Sequence, residues 1–182
     1  MLKKKKAQVW IETVIYTLIA LAMIGAVLSF AKPKIEQMQD KSLIEDSIRV
    51  MEDMNSIMME VRKVSGNQRT FDLGIKKGEV TFDAGNNKIF FYIDSKYVYS
   101  QIGEEIQSGS VLIKTEEISP KKEYRIHLTL DYSGSEFNLK LKDGSLTKKI
   151  VKASTLYKVY IVNQGKDAIN PEGKTILELE IN

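Results

Sequence analysis

The chain has 182 residues, enough for one domain of ordinary size and an anchoring segment. Its net charge of +3 comes from the four consecutive lysines Lys3–Lys6, and the chain that follows them is slightly acidic overall. This excludes a strongly basic surface for nucleic acid. The chain has no cysteine, which excludes disulfides and thiolate metal sites.

The lysine run precedes an uncharged apolar segment that extends from Thr13 to Ala31. At about 1.5 Å per residue, this segment spans roughly 28 Å, which is close to the hydrocarbon thickness of a bilayer. Lysines in front of such a segment favour an N-terminus held in the cytoplasm. We therefore expect a membrane-spanning helix over residues 8–31, inserted as a single pass with the rest of the chain outside the cell.

A cleaved secretory leader is the alternative interpretation of this segment. Ser29-Phe30-Ala31 has the small-x-small form of a signal peptidase site, and cleavage there would release a soluble domain. The apolar run is longer than the usual leader core of about 7–15 residues, and Glu12 stands at its junction with the basic region. Both features favour the membrane span.

Small residues recur at helical spacing inside the span. Ala22 pairs with Ala26, and Gly25 pairs with Ser29, each four positions apart. Such pairs allow two helices to approach closely, although a membrane helix also contains them by chance. We expect these four positions to be the helix-packing residues if the span associates with other copies.

An amphipathic helix is predicted after the span, within residues 32–66. Pro33 lacks a backbone donor, so we expect a kink or short break at Lys32-Pro33. Apolar residues then follow at steps of three and four: Ile44, Ile48, Met51, Met54, Met58 and Val61. We expect this stripe to pack against the chain's own domain; contact with neighbouring subunits is the alternative.

From residue 67 to the C-terminus the apolar period changes to two, which indicates β-strands. Asp143-Gly144 and the segment Gly74–Gly78 have the composition of hairpin turns. The predicted fold class is α+β, a long N-terminal helix followed by an antiparallel β-sandwich-like domain. The predicted strands are Thr70–Ile75, Glu79–Asp83, Ile89–Ile93, Tyr97–Ser100, Val111–Thr115, Tyr124–Tyr132, Phe137–Leu141, Leu146–Val151, Leu156–Asn163 and Thr175–Ile181.

Residues that could carry catalytic chemistry are few. His127 is the only histidine, and it falls on the polar side of its strand without metal-ligand spacing around it. The acidic doublets Glu104-Glu105 and Glu116-Glu117 lack the Asp/Asn-rich spacing of a calcium loop and are expected in solvated loops. We therefore expect neither an enzyme nor a cofactor or metal site.

The N-terminal pattern Lys6-Ala7-Gln8, with Glu12 as the fifth residue after Ala7, resembles the class III signal peptide of archaeal type IV pilins. The resemblance covers residues 3–31 and the order of helix and β-domain. It implies that a prepilin peptidase cuts between Ala7 and Gln8, so that residues 1–7 are a cleaved leader. Trp10 departs from the family pattern, in which a small or hydroxyl residue is usual.

The resemblance also implies a function and a set of partners. These are the membrane, the prepilin peptidase, a pilus assembly ATPase with its membrane platform protein, and copies of the chain or related pilins. In the family, the residue corresponding to Glu12 engages the N-terminal amine of a neighbouring subunit. The implied role is a structural subunit of a surface filament. The alternative is a single-pass membrane-anchored binding domain that does not polymerise.

Overall fold

The computed structural model describes residues 2–119, 123–166 and 173–182, with side chains from Val9 onward except that of Ser119. Within these residues the chain forms one α-helix, α1 (Leu2–Val61), followed by β-strands alone. The chain divides into two compact units, Met1–Gln39 and Asp40–Asn182. The second unit therefore contains the C-terminal part of α1 together with all the strands. The predicted α+β class is confirmed.

The strands belong to two sheets of unequal size. The six-stranded sheet has the order β4-β5-β6-β3-β2-β8, and the four-stranded sheet has the order β1-β9-β10-β7. All neighbouring strands are antiparallel except β10 and β7, which are parallel. The strands are β1 (Gln68–Leu73), β2 (Glu79–Asp83), β3 (Lys88–Ser95), β4 (Glu105–Ser108), β5 (Val111–Ser119), β6 (Glu123–Asp131), β7 (Phe137–Leu141), β8 (Thr147–Val151), β9 (Tyr157–Lys166) and β10 (Thr175–Ile181).

A single hydrophobic core joins α1 to both sheets. Along β3, the side chains of Ile89, Phe91 and Ile93 are buried while those between them are half-buried, as period-two alternation requires. The apolar stripe of α1 contributes six buried side chains: Ile44, Ile48, Met51, Met54, Met58 and Val61. The prediction that this stripe packs against the chain's own domain is thus confirmed, and the stripe is not available to a neighbouring subunit.

Polar side chains connect α1 to the ends of strands. Near the start of the second unit, the buried Asp40 carboxylate accepts hydrogen bonds from the backbone N–H of Lys96 and from the Lys77 ammonium, both at 2.7 Å. At the helix C-terminus, the amide of Asn163 on β9 donates to the carbonyls of Val61 and Arg62 at 3.0 Å. These carbonyls have no partner within the helix, so Asn163 satisfies them where α1 ends.

Asn87 joins the two sheets. It lies in the β2–β3 turn with a left-handed φ of 57°, which asparagine tolerates better than most residues. Its buried amide nitrogen donates to the carbonyls of Tyr132 and Phe137, and its amide oxygen accepts the N–H of Leu139 at 2.7 Å. Because Phe137 and Leu139 belong to β7, a side chain from a turn of the six-stranded sheet satisfies backbone groups of the four-stranded sheet.

Two local predictions are wrong because other contacts decide the backbone. The helix continues through Pro33 without the predicted break, since helix-forming residues on both sides outweigh one missing donor. Tyr97–Ser100 is not a strand. Its backbone bonds to side chains instead, with the hydroxyl of Ser95 accepting the N–H of Tyr97 and that of Thr115 accepting the N–H of Ser100.

Other corrections concern which segments pair. Solvated loops were predicted at Glu105 and at Glu116-Glu117, but Glu105 lies in β4 and Glu116-Glu117 lies in β5. β4 forms a hairpin with β5. The Asp143-Gly144 turn is not a hairpin, because β7 and β8 belong to different sheets. The segment Gly74–Gly78 also connects different sheets, since β1 and β2 do not pair. Strand bounds elsewhere differ from the predicted ones by a few residues.

Candidate functional site

The first unit consists of helix whose apolar side chains are exposed. Every side chain from Val9 to Phe30 is exposed, including large ones such as Trp10, Tyr16 and Phe30, which are 69–75% accessible. This segment of α1 is long and apolar enough to cross a membrane. An apolar helix of this length without burial in its own chain needs an apolar environment from elsewhere, either lipid or other proteins.

The threonine and serine hydroxyl groups of the apolar segment bond within the helix. Thr13 donates to the carbonyl of Val9, Thr17 to the carbonyl of Thr13, and Ser29 to the carbonyl of Gly25, at 2.8–2.9 Å. A hydroxyl exposed to hydrocarbon is costly unless it has a hydrogen-bond partner. These bonds to the preceding turn make the segment compatible with an apolar surrounding.

The four predicted packing residues share one face of the helix. At about 100° per residue, Ala22, Gly25, Ala26 and Ser29 fall within about a third of the circumference. All four are exposed, and a methyl group added at Gly25 would meet no other atom within 4 Å. The packing of the described chain therefore does not require glycine at this position.

The residues of the predicted processing site lie on the N-terminal part of α1. Lys6, Ala7 and Gln8 belong to the helix by backbone, and their side chains are outside the described residues. Glu12 is exposed and lies one turn after Gln8. The structure therefore places Glu12 on the same helix as the packing face, at the end of the apolar segment that adjoins the lysine run.

A cluster of titratable groups occupies the outer face of the six-stranded sheet. Nε2 of His127 lies 3.1 Å from a carboxylate oxygen of Glu116, and Lys114 reaches the other oxygen of that carboxylate at 2.7 Å. The ring of Tyr92 meets the imidazole edge-on at 4.9 Å. Burial lowers the pKa of His127, and the Glu116 carboxylate opposes this effect.

This cluster has the character of a network of ion pairs. Hydrogen bonding from Lys114, with the charge of His127, lowers the pKa of Glu116, and Arg125 binds Asp94 through two nitrogen atoms. The sequence predicted His127 to be a plain surface residue. It did not predict the contact with Glu116, because the two residues lie on neighbouring strands and the sequence does not show which strands are neighbours. The only signal in the sequence was that both belong to alternating runs. Among the described residues, no group of three His, Asp or Glu side chains could hold a metal ion.

Comparison of the chain with protein-family models, curated proteins and solved structures gave no match.

Proposed function

We propose that this chain is a structural subunit of a type IV pilus-like surface filament, inserted as a membrane precursor and polymerised through its N-terminal helix. One observation carries the proposal. The sequence Lys6-Ala7-Gln8, with Glu12 following, leads directly into an apolar helical segment that is exposed throughout. Membrane insertion accounts for the apolar segment, and processing followed by assembly accounts for the residues in front of it.

In the proposed sequence of events, the bilayer covers the apolar segment first and other helices cover it later. The lysine run holds residues 1–7 in the cytoplasm, where the prepilin peptidase cuts after Ala7. The assembly ATPase and its platform protein then move the subunit from the membrane into the filament. The apolar helices bundle in the filament core, with the small face around Gly25 at the closest approach, and the β-domains form the exterior.

Glu12 has the role of pairing with the amine of Gln8 in a neighbouring subunit. A carboxylate within or beside an apolar environment costs roughly 2.5–3.5 kcal/mol on insertion scales, so such a residue is retained for a reason. Cleavage removes Lys3–Lys6 and creates the Gln8 amine in the same step. A cation suited to Glu12 therefore arises when assembly can begin.

The N-terminal sequence of the native protein tests the processing step. We expect the protein from the membrane and surface fractions to begin at Gln8, as measured by mass spectrometry of the N-terminal peptide. A start at Met1 would favour the non-polymerising membrane anchor, and a start at Lys32 would mean a secreted domain.

Replacement of Glu12 by Gln tests the assembly step, because it keeps the size of the side chain and removes its charge. We expect Glu12→Gln to leave processing and membrane insertion intact and to reduce the amount of subunit in sheared filaments sharply. An unpaired amine in an apolar bundle costs about 3–5 kcal/mol. The control is Glu36→Gln, the same change on the same helix beyond the apolar segment. Wild-type amounts of Glu12→Gln subunit in the filaments would refute the pairing.

A further inference from the structure

The six-stranded sheet has two open edges with opposite charge. β4 and β8 are its outermost strands, and each pairs with one neighbour. The segment Gln101–Ser110, which contains β4, holds Glu104 and Glu105 and no basic residue. The segment Ser145–Leu156, which contains β8, holds Lys148, Lys149 and Lys152 and no acidic residue. One end of the sheet is therefore acidic and the other is basic.

Some of these charges have no opposite partner in the part of the chain that the structure describes. This holds for Glu104 and Lys152, whereas Glu105 lies opposite Lys114 in the β4–β5 register and Lys149 pairs with Glu79 at 2.6 Å. Lys148 lies 3.7 Å from the carboxylate of Asp143 and donates to the carbonyl of Ile181 in the other sheet. Glu104 and Lys152 are thus available for an ion pair with another molecule.

Exposed apolar side chains accompany both edges. They are 39–71% accessible, and their burial against another surface would be favourable. The residues in or beside β4 are Ile102 and Ile106, and those in or beside β8 are Leu146, Val151 and Leu156. Edge strands also direct unpaired backbone N–H and C=O groups away from the sheet, which is a template for pairing with a further strand.

The two edges of the four-stranded sheet differ from this pair. The backbone of β7 is already satisfied at Phe137 and Leu139 by the side chain of Asn87. β1 carries one charge of each sign, Arg69 and Asp72, and Arg69 is paired with Glu60. Complementary charge is therefore a property of the β4 and β8 edges. At β8, the carbonyl of Val151 accepts the hydroxyl of Tyr157, which leaves for pairing those backbone groups of Thr147–Ile150 that point away from β2.

We propose that β4 of one copy of this chain pairs with β8 of a second copy and so continues the six-stranded sheet from subunit to subunit. Contact between two β4 edges would oppose glutamates, and contact between two β8 edges would oppose lysines; both are unfavourable. An interface between different edges is head-to-tail, and it produces a ring or a helical filament instead of a closed two-fold dimer. The inference concerns the β-domain and requires neither cleavage after Ala7 nor bundling of the helices.

Cysteine cross-linking of the full chain tests this pairing directly, because the chain contains no cysteine of its own. Gln107→Cys on β4 and Thr147→Cys on β8 both replace exposed residues. We expect cells that express the two variants together to give a disulfide-linked heterodimer after mild oxidation. Either variant expressed alone should give about tenfold less dimer. Thr70→Cys on β1, combined with Thr147→Cys, is the control for random collision.

Charge reversal then separates the pairing from a loss of folding. Glu104→Lys with Glu105→Lys should reduce the β4–β8 cross-link about tenfold, and so should Lys149→Glu with Lys152→Glu. The two reversals placed in the same chain exchange the charges of the edges and should restore the cross-link. The inference is overturned if the β4–β8 cross-link is absent, if it is no stronger than the β1 control, or if charge reversal leaves it unchanged. If Gln8-started filaments form without this cross-link, the filament proposal stands and edge pairing fails.

Discussion

Truncation of Met54 to alanine is the sharpest test of how α1 joins the β-domain. Met54 is completely buried, with Met51 and Met58 on the same stripe at 0–1% exposure. Truncation of a buried methionine loses its transfer free energy and leaves a cavity, and together these cost about 2–5 kcal/mol. We take about 3 kcal/mol for Met54, which is a large part of the 5–15 kcal/mol that stabilises a typical domain. The melting temperature should fall by about 6–12 °C.

The matched control lies on the same helix. Met38 is 72% exposed, so Met38→Ala removes little buried surface and gains slightly in helix propensity. Both variants can be compared in a chain that begins at Lys34, by urea unfolding followed with far-UV circular dichroism. That chain lacks Trp10, the only tryptophan, so circular dichroism is used in place of tryptophan fluorescence. A loss below 1 kcal/mol for Met54→Ala, or equal losses for both variants, would refute the burial of the stripe.

Two further predictions concern residues within the sheets. Asn87→Ala should lower the free energy of unfolding by about 2–4 kcal/mol, because it removes three buried hydrogen bonds at a left-handed backbone position. The neighbouring variant Asn86→Ala, measured by the same urea unfolding, should lower it by less than half as much. For Asp131, burial alone would raise the pKa, but hydrogen bonds from Lys88 and Ser133 outweigh it and lower the pKa to about 2. Its contribution of about 1 kcal/mol, reduced by solvent screening, should be present above pH 4 and lost as the pH falls towards 2. Asp131→Asn should therefore destabilise the protein at pH 7 and have a much smaller effect at pH 2, and an equal loss at both pH values would contradict this assignment.

The sequence by itself determined the features that depend on near neighbours along the chain. The apolar segment after Lys3–Lys6 is readable because its length and lack of charge are local properties. The stripe from Ile44 to Val61 is readable because residues three and four apart share a helix face. The alternation in Tyr124–Tyr132 likewise predicts a strand with one buried face, and the buried residues match it. The leader pattern ending at Glu12 is also local, and its function stays a prediction.

The tertiary structure decided what depends on partners distant in sequence. β7 and β8 are separated by one short turn, yet they join different sheets, because pairing depends on which edges are free and not on sequence distance. Contacts with distant residues also decide two local conformations. Glu105 is part of a strand because β5 pairs with it. Tyr97–Ser100 is irregular because side chains accept its backbone hydrogen bonds. Strand alternation specifies which side chains face the core, and it contains no information about the neighbouring strand. The opposite charges of the β4 and β8 edges become visible only after that pairing is known.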